Sequence, residues 1–287
     1  MKISILLTTY NQSKYIGEAI DSIINQKISF DYEIIIADDK STDNTLELII
    51  SKLSNTSIKY TVLITESNLG ISKNYQRGFK SCKGEYIAIL EGDDYWTDPY
   101  RITKHINFLD NHNECMMSFN RFIIYDEHLN RFNYDNKFNY EEINYEYISS
   151  QDLASGNKKI GNLSSCVFRN SKKYIWDDSF FEVVVADLFL GIYLGNFGLI
   201  AKINNYMSVY RIHKNGLWSG NNSVKNNNEL INLIDKYDVL LEYKYKNEFQ
   251  KYKNRISNGN KKKISNYIPP IIIKLVNLFL PPVLNKK

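Results

Sequence analysis

Cysteine is scarce and badly placed for chemistry. Cys82, Cys115 and Cys166 are the three present; an odd number at wide spacing fits neither a disulfide framework nor a CxxC metal site, and reads as buried thiols of a reducing compartment. No GxGxxG follows the first apolar run, so the dinucleotide fingerprint is missing. No zinc-finger or RNA-binding motif occurs, and no internal repeat. The net charge of +4 is uneven, with Lys261, Lys262, Lys263 and the Lys286-Lys287 pair far from the main acidic cluster. The middle of the chain is therefore no nucleic-acid surface, and no nucleic-acid partner is expected.

Long apolar runs are missing as well. "MKISILLTTYNQ" holds too few apolar residues for a signal-peptide core, so a cytoplasmic protein is expected. The most apolar tract, "NYIPPIIIKLVNLFLPPVLNKK", is bracketed by Pro269-Pro270 and Pro281-Pro282. A helix between those pairs reaches only ~15 Å, half of a ~30 Å hydrocarbon core, and cannot span a membrane. With Lys clusters on both sides, residues 264–287 could instead lie peripherally at the inner membrane face, or dock on protein.

What is present suits one large domain or one domain with an appendage: 287 residues, 43% hydrophobic and 24% charged, enough to bury a core. The first ~125 residues alternate strand-like runs ("KISILLT", "YEIIIA", "IKYTVLI", "EYIAIL", "CMMSFNRFIIY") with helical stripes, which predicts an α/β, mostly parallel sheet flanked by helices. Tyr15, Ile16, Ala19, Ile20, Ile23 and Ile24 form one stripe, and residues 45–53 another. Asp98 as N-cap and Pro99 at the first helical position predict a helix after the acidic cluster. Residues 126–160 read as an excursion over the sheet. "SSCVFR" follows as a return strand, then a helix from about Asp187, two strands "LIAKI" and "YMSVYRIH", and one long polar helix over 227–252.

In open parallel α/β sheets ligands bind beyond the carboxyl ends of the strands. Three polar loops fall there: "TTYN" after the first strand, "ADDKSTD" after the second and "EGDD" after the fourth. Their shared position suits a nucleotide diphosphate. Tyr10 offers an aromatic face, Asp38 or Asp39 an acceptor for a base N–H, and Asp93 a seat for a divalent cation. Two phosphates beside three carboxylates would repel, so Mg²⁺ or Mn²⁺ is part of this reading, and it would stabilise charge on a leaving diphosphate.

The blocks "ISILLTTYNQSKYI", "EIIIADDKSTDNT", "NLGISKNYQRGFKSCKGEYIAILEGDDYW" and "YMSVYRIHKNGLWSG" resemble, in order, those of the inverting glycosyltransferases of family two with the Rossmann-like GT-A fold. The closest likeness is to a bacterial subgroup whose metal loop reads EGDDYW. The resemblance covers residues 1–220, divided into a nucleotide-binding half (1–125) and an acceptor half (126–220), and leaves 221–287 as a C-terminal helical extension. It implies transfer of a sugar from a nucleotide sugar, UDP-linked, to a glycan, lipid-linked or protein acceptor in surface polysaccharide synthesis.

Carried onto this chain, the resemblance places Thr8 and Tyr10 around the base and Asp39, with Asp38 beside it, against it. Asp93 becomes the metal ligand and Asp187 the general base. His213 matches a histidine that in some members reaches metal or diphosphate; a structural role capping the strand is the alternative. Trp218 and Ser219 suit a lid over bound donor.

Two departures stand out. Tyr75-Gln76 replaces the family's Arg-Asn pair and receives no role, while Lys73 is a candidate phosphate contact. Glu91 replaces the first Asp of the DxD motif and reaches the metal directly or through water. Tyr95 and Trp96 read as packing, and the 227–252 helix as a site where two copies could pair. A nucleotide-sugar-binding module without turnover and a sugar-phosphate nucleotidyltransferase are the competing readings. A binding module has no need of a base at Asp187, and a nucleotidyltransferase would carry a Gly-rich basic loop where "TTYNQSKY" stands.

Overall fold

A computed structural model describes residues 1–133, 145–171, 178–183, 185–216 and 223–267, the side chains of 223–226 and 259–267 excepted. Trp218, Ser219 and the tract between the proline pairs lie outside the described residues. No described helix is long and apolar enough to cross a membrane.

The N-terminal part, up to about residue 125, is built as the apolar runs predict. β1 (Ile3–Thr9), β2 (Tyr32–Asp38) and β4 (Tyr86–Glu91) pair in parallel, with β3 (Tyr60–Val62) beyond β2. Their side chains alternate between two cores, because successive residues of a strand face opposite sides of the sheet. Ile3, Ile5, Leu7, Ile34, Ile36, Ala88 and Leu90 face α1 (Ile16–Ile24), α2 (Thr45–Leu53) and α4 (Arg101–Asn111). Leu6, Ile35, Ala37, Ile87 and Ile89 face the opposite core, with α3 (Ile71–Ser81). Coverage on both faces explains why these strands read as continuous apolar runs.

The following part continues the sheet with mixed direction. β9 (Cys166–Arg169) joins β4 to β6 (Cys115–Asp126) through antiparallel ladders, and β6 pairs in parallel with β10 (Leu199–Ile212). β5 (Tyr95–Trp96) closes the far edge against β10. "LIAKI" and "YMSVYRIH" are thus one bulged 14-residue strand, not two. Its register against β6 shifts between Ile203 and Tyr206 and again between Tyr206 and Ser208, so the polar Asn204-Asn205 step is absorbed without a break.

The 126–160 stretch is more than an excursion. β7 (Arg131–Asn133) pairs with β6, β8 (Tyr145–Ile148) pairs with β10, and α5 (Ser150–Ala154) sends Leu153 and Ala154 into the core. A Ser149/Asp152 capping box starts α5, a local hydrogen-bond signal that hydrophobic periodicity does not register. α4 begins at Arg101, two residues later than expected at Pro99, because Asp98 Oδ1 accepts the Tyr100 N–H and holds a turn first. The helix expected at Asp187 is α6 (Asp187–Leu194).

The long C-terminal helix is two helices. α7 (Ser223–Leu240) and α8 (Lys246–Tyr267) are separated by a turn in which Glu242 and Tyr243 take φ of 51° and 59°. The fold-back lets Ile234 and Tyr237 from α7, and Phe249 and Tyr252 from α8, share the core of α5 and α6. A straight helix would leave one of those apolar faces in water. Phe189 and Tyr237 stack 4.4 Å apart at 7° across this contact. Cys82, Cys115 and Cys166 are buried free thiols, and burial raises the thiol pKa of each, that of Cys115 to about 11.

Candidate active site

β1, β2 and β4 end side by side, with Thr8 opposite both Ala37 and Glu91 and Thr9 opposite Asp38. Side chains at these ends project past the sheet edge. They line a cleft of about 340 Å³ that takes in Thr8, Tyr10, Asp39, Asn74, Glu91 and Asp93. Tyr10 is 44% exposed, a ring open to stacking, whereas Thr8 is buried. The two neighbouring aspartates divide. Asp39 lines the cleft while accepting the Leu69 and Gly70 N–H groups at 2.8 and 2.9 Å, and Asp38 accepts from Ser41 N and Oγ within its own turn. Lys73 lies exposed on α3 and does not line the cleft.

A second pocket of about 100 Å³ continues from the first. Ile71, Glu91 and Asp93 belong to both; on its other side stand Asn162, Ala186, Asp187 and Tyr210. Asp187 opens α6, and its Oδ2 accepts the Gly161 N–H at 2.6 Å. Burial raises its pKa, while the N–H groups of Gly161, Leu188 and Asp187 itself, together with the Lys159 charge, act the other way. The result is a carboxylate with strengthened basicity that is still stabilised when ionised.

The acidic tip of β4 is held by bonds that none of its own residues foretells. Asp94 is buried at 1% exposure and accepts from Ser164 Oγ (2.6 Å), Asn162 Nδ2 (2.9 Å) and the Arg211 N–H (2.9 Å). Ser164 Oγ in turn accepts the Glu91 N–H at 3.0 Å. Arg211 Nε donates to the Asp93 carbonyl, and His213 Nε2 lies 3.0 Å from Asp93 Oδ2. Trp96 is packed beneath, its Nε1 donating to Ser164 O and the Arg101 guanidinium 4.3 Å over its ring. A Cβ on Gly92 would stand 2.5 Å from Gln12 Oε1 and 2.8 Å from Ile16 Cδ1, so a larger residue there requires the ends of both side chains to move aside.

Sequence reasoning left Tyr75 unassigned. Its hydroxyl donates to Glu91 Oε1 at 2.9 Å and lies 3.5 Å from Thr8 Oγ1. Asn162, Ser164, Tyr210 and Arg211 were missed too; Tyr210 and Arg211 lie on the predicted strand that ends at His213 and Ser164 opens the predicted strand SSCVFR, so of the four only Asn162 carried no signal of position. Asn162 Oδ1 is buried and lacks a hydrogen-bond partner in the protein, an acceptor that a substrate hydroxyl would satisfy.

No three acidic, His or Cys side chains form a ready cation cage among the described residues. The donor chemistry nevertheless fits a hard divalent cation completed by phosphate oxygens. Burial, then the charge of Asp93, lifts Glu91 well above the usual carboxylate range and Asp94 to about 7. Such a cluster is short of positive charge.

Comparison with known proteins agrees with this architecture. The family model described as Glycosyl transferase family 2 matches residues 4–176. An uncharacterized protein of Mycobacterium tuberculosis is 33% identical over 217 residues, 75% of this chain; the chain spans 60% of that relative's length. The poly(ribitol-phosphate) beta-N-acetylglucosaminyltransferase TarS of Staphylococcus aureus is 33% identical over 96 residues, 33% of this chain and 17% of TarS. Its crystal structure with UDP superposes with TM-score 0.61 at 17% identity, covering 94% of this chain and 76% of that one. The mannosyltransferase PcManGT of Pyrobaculum calidifontis, in complex with GDP-Man and Mn²⁺, gives TM-score 0.57 at 12% identity, covering 96% and 79%. These two likenesses speak for the fold, and the family match over more than half of the sequence goes further: the chain belongs to glycosyl transferase family 2.

Proposed function

We propose that the chain is a metal-dependent, inverting glycosyltransferase that moves a sugar from a nucleotide sugar, UDP-linked, to a hydroxyl of a glycan, lipid-linked or protein acceptor in polysaccharide synthesis. One observation carries the reading. Glu91 and Asp93 on one wall and Asp187 on another face the same 100 Å³ pocket, and the pocket opens into the 340 Å³ cleft beneath Tyr10 and Asp39. The similar structures of TarS with UDP and PcManGT with GDP-Man and Mn²⁺ support a nucleotide diphosphate donor and a divalent cation.

The cleft takes the nucleotide, with Tyr10 against the base and Asp39 accepting a base N–H. Asp93, with Glu91 and His213 at hand, would hold Mn²⁺ or Mg²⁺, which neutralises the diphosphate and the charge it gains on leaving. The sugar then occupies the small pocket. Asp187 accepts the proton of the acceptor hydroxyl while that oxygen bonds to the anomeric carbon; the bond from that carbon to the diphosphate oxygen breaks, and the diphosphate departs with the electron pair. A single displacement inverts the centre and needs one base. Asn162 Oδ1 is placed to accept from a sugar or acceptor hydroxyl.

A donor screen with Mn²⁺ tests the proposal. A bound donor at a hundred times its dissociation constant stabilises by ~2.7 kcal/mol, a readily seen thermal shift. Slow release of free UDP from the bound donor is expected. Stable binding with no release over hours would replace the enzyme with a binding module.

A further inference from the structure

Asp187 stands in the wall of two spaces. One is the small pocket it shares with Glu91 and Asp93; the other is a cavity of about 260 Å³, and Gly161, Ala186 and Tyr210 line both as well. Next to Asp187 on α6 comes Leu188, α7 contributes Leu230, Leu233 and Tyr237, and α8 contributes Tyr252. Lys159 adds an exposed ammonium. Burial, and then the charge of Asp187, raises the hydroxyl pKa of Tyr237 and of Tyr252, so the field of the carboxylate reaches across the cavity. All three helices lie beyond residues 4–176, so the family match leaves this cavity undescribed.

Its aromatic walls are set before anything binds. Tyr237 is held by its stack on Phe189. Gly156, with φ of 70°, follows α5, and a Cβ there would stand 2.4 Å from Tyr252 Cδ2; a hydrogen in that place lets α8 press the ring against the end of α5. Walls already in place spare a ligand the cost of ordering them. Size and chemistry then decide the guest. An apolar cavity of roughly 150 Å³ takes benzene, so this one has room for an aromatic ring or a short alkyl chain. Hydroxyls turned toward Leu188, Leu230 and Leu233 would find no partner on those side chains, whereas an apolar group gains by leaving water there.

We propose that the cavity receives an apolar group, an aryl ring or a short alkyl chain, carried by the acceptor next to its nucleophilic hydroxyl. The proposal rests on the transferase reading and deepens it by naming the acceptor's chemical class. With the apolar group seated among Leu188, Leu230 and Leu233, the adjoining hydroxyl is held at the Asp187 carboxylate, which also lines the pocket assigned to the donor sugar. Holding the hydroxyl there shortens the search for the reacting geometry.

The test is a ligand-detected NMR titration of the full chain loaded with UDP and Mn²⁺. The probes are phenyl, n-butyl and methyl β-D-glucopyranoside, with benzyl alcohol against glycerol as a pair that carries no sugar and so cannot be masked by a wrong one. Benzyl alcohol should bind and glycerol should not. The phenyl or the butyl glucoside should bind about tenfold or more tighter than the methyl glucoside, and the better of the two tells a ring from a chain. Leu188→Gln and Leu230→Gln should each weaken the apolar probes by about tenfold and leave UDP affinity unchanged, while Leu230→Met retains them. Leu188 and Leu230 are half-buried, so these variants fold even if Leu233→Gln does not. Retained UDP binding with no response to benzyl alcohol or the apolar glucosides, or a response that both Gln variants leave intact, overturns the inference and spares the transferase. Failure of UDP to bind removes the transferase reading and this proposal with it.

Discussion

The Tyr75 hydroxyl donates to Glu91 Oε1 at 2.9 Å, so a residue of α3 orients the first carboxylate of the acidic loop that ends β4. The Glu91 side chain is thereby tethered. Tyr75 is fully buried, and its bond favours the ionised form of Glu91 against the desolvation that raises its pKa.

Tyr75→Phe is expected to fold, because only the hydroxyl is lost, at a cost of ~1–3 kcal/mol for the acceptor left behind. Glu91 becomes harder to ionise. Manganese-dependent UDP binding should weaken by several-fold; unchanged binding would remove Glu91 from the cation site.

Asp187→Asn should retain donor affinity and thermal stability while turnover falls by about 10²–10⁴-fold, the usual range for a lost general base. Steady-state rates beside UDP titrations measure both quantities. A variant with near-wild-type turnover would disqualify Asp187.

The acidic cluster also predicts a pH dependence. Asp94 has its folded-state pKa raised to about 7, against about 4 in an unfolded chain. Its protonated form is the one favoured by folding, so its contribution is fully present below about pH 4 and lost as pH rises through about 7. Relative to Asp94→Asn, the metal-free wild type should therefore lose on the order of 1–3 kcal/mol between pH 5 and 8. Urea melts across that range measure it, and Mn²⁺ with UDP should shrink the loss. A constant difference between the two proteins would rule out the raised pKa.

Tyr237→Ala tests whether α7 is part of the fold. The ring is fully buried and stacked on Phe189, so a loss of roughly 3–5 kcal/mol is expected, as for large aromatics in cores. A loss below about 1 kcal/mol in urea unfolding would mean that the helix is a loosely attached arm.

The legible parts of the molecule share one cause. β1, β2 and β4 are buried on both faces, and the loops at their ends had to carry the polar groups, so hydrophobic runs followed by Thr8, Asp39 and Asp93 pointed to the cleft. Asp187 was singled out by the family resemblance rather than by any local pattern, and it opens α6 as the helix expected there. α3 was not singled out as a helix: its buried set includes Asn74 and Gly78 beside Tyr75 and Phe79, which dilutes the apolar stripe. Asn162 caps and Ser164 lies within a 3₁₀ turn over Leu163–Ser165, the strand expected from Ser164 beginning only at Cys166, and their roles depend on where β9 falls beside β4. The α7–α8 turn was hidden because its left-handed residues are Glu242 and Tyr243 rather than glycine. Non-local packing, not local propensity, decided each of these.

Ser164 fastens the site crosswise, its hydroxyl serving Asp94 and Glu91 and its carbonyl receiving Trp96 Nε1 and Arg101 Nη2. The floor of the site is therefore a welded plate, unable to flex without breaking several buried bonds at once. Under the proposed transferase reading, any movement that admits donor would fall to the rims, the Leu69–Gly70 side bonded to Asp39 and the turn from His213 to Gly216.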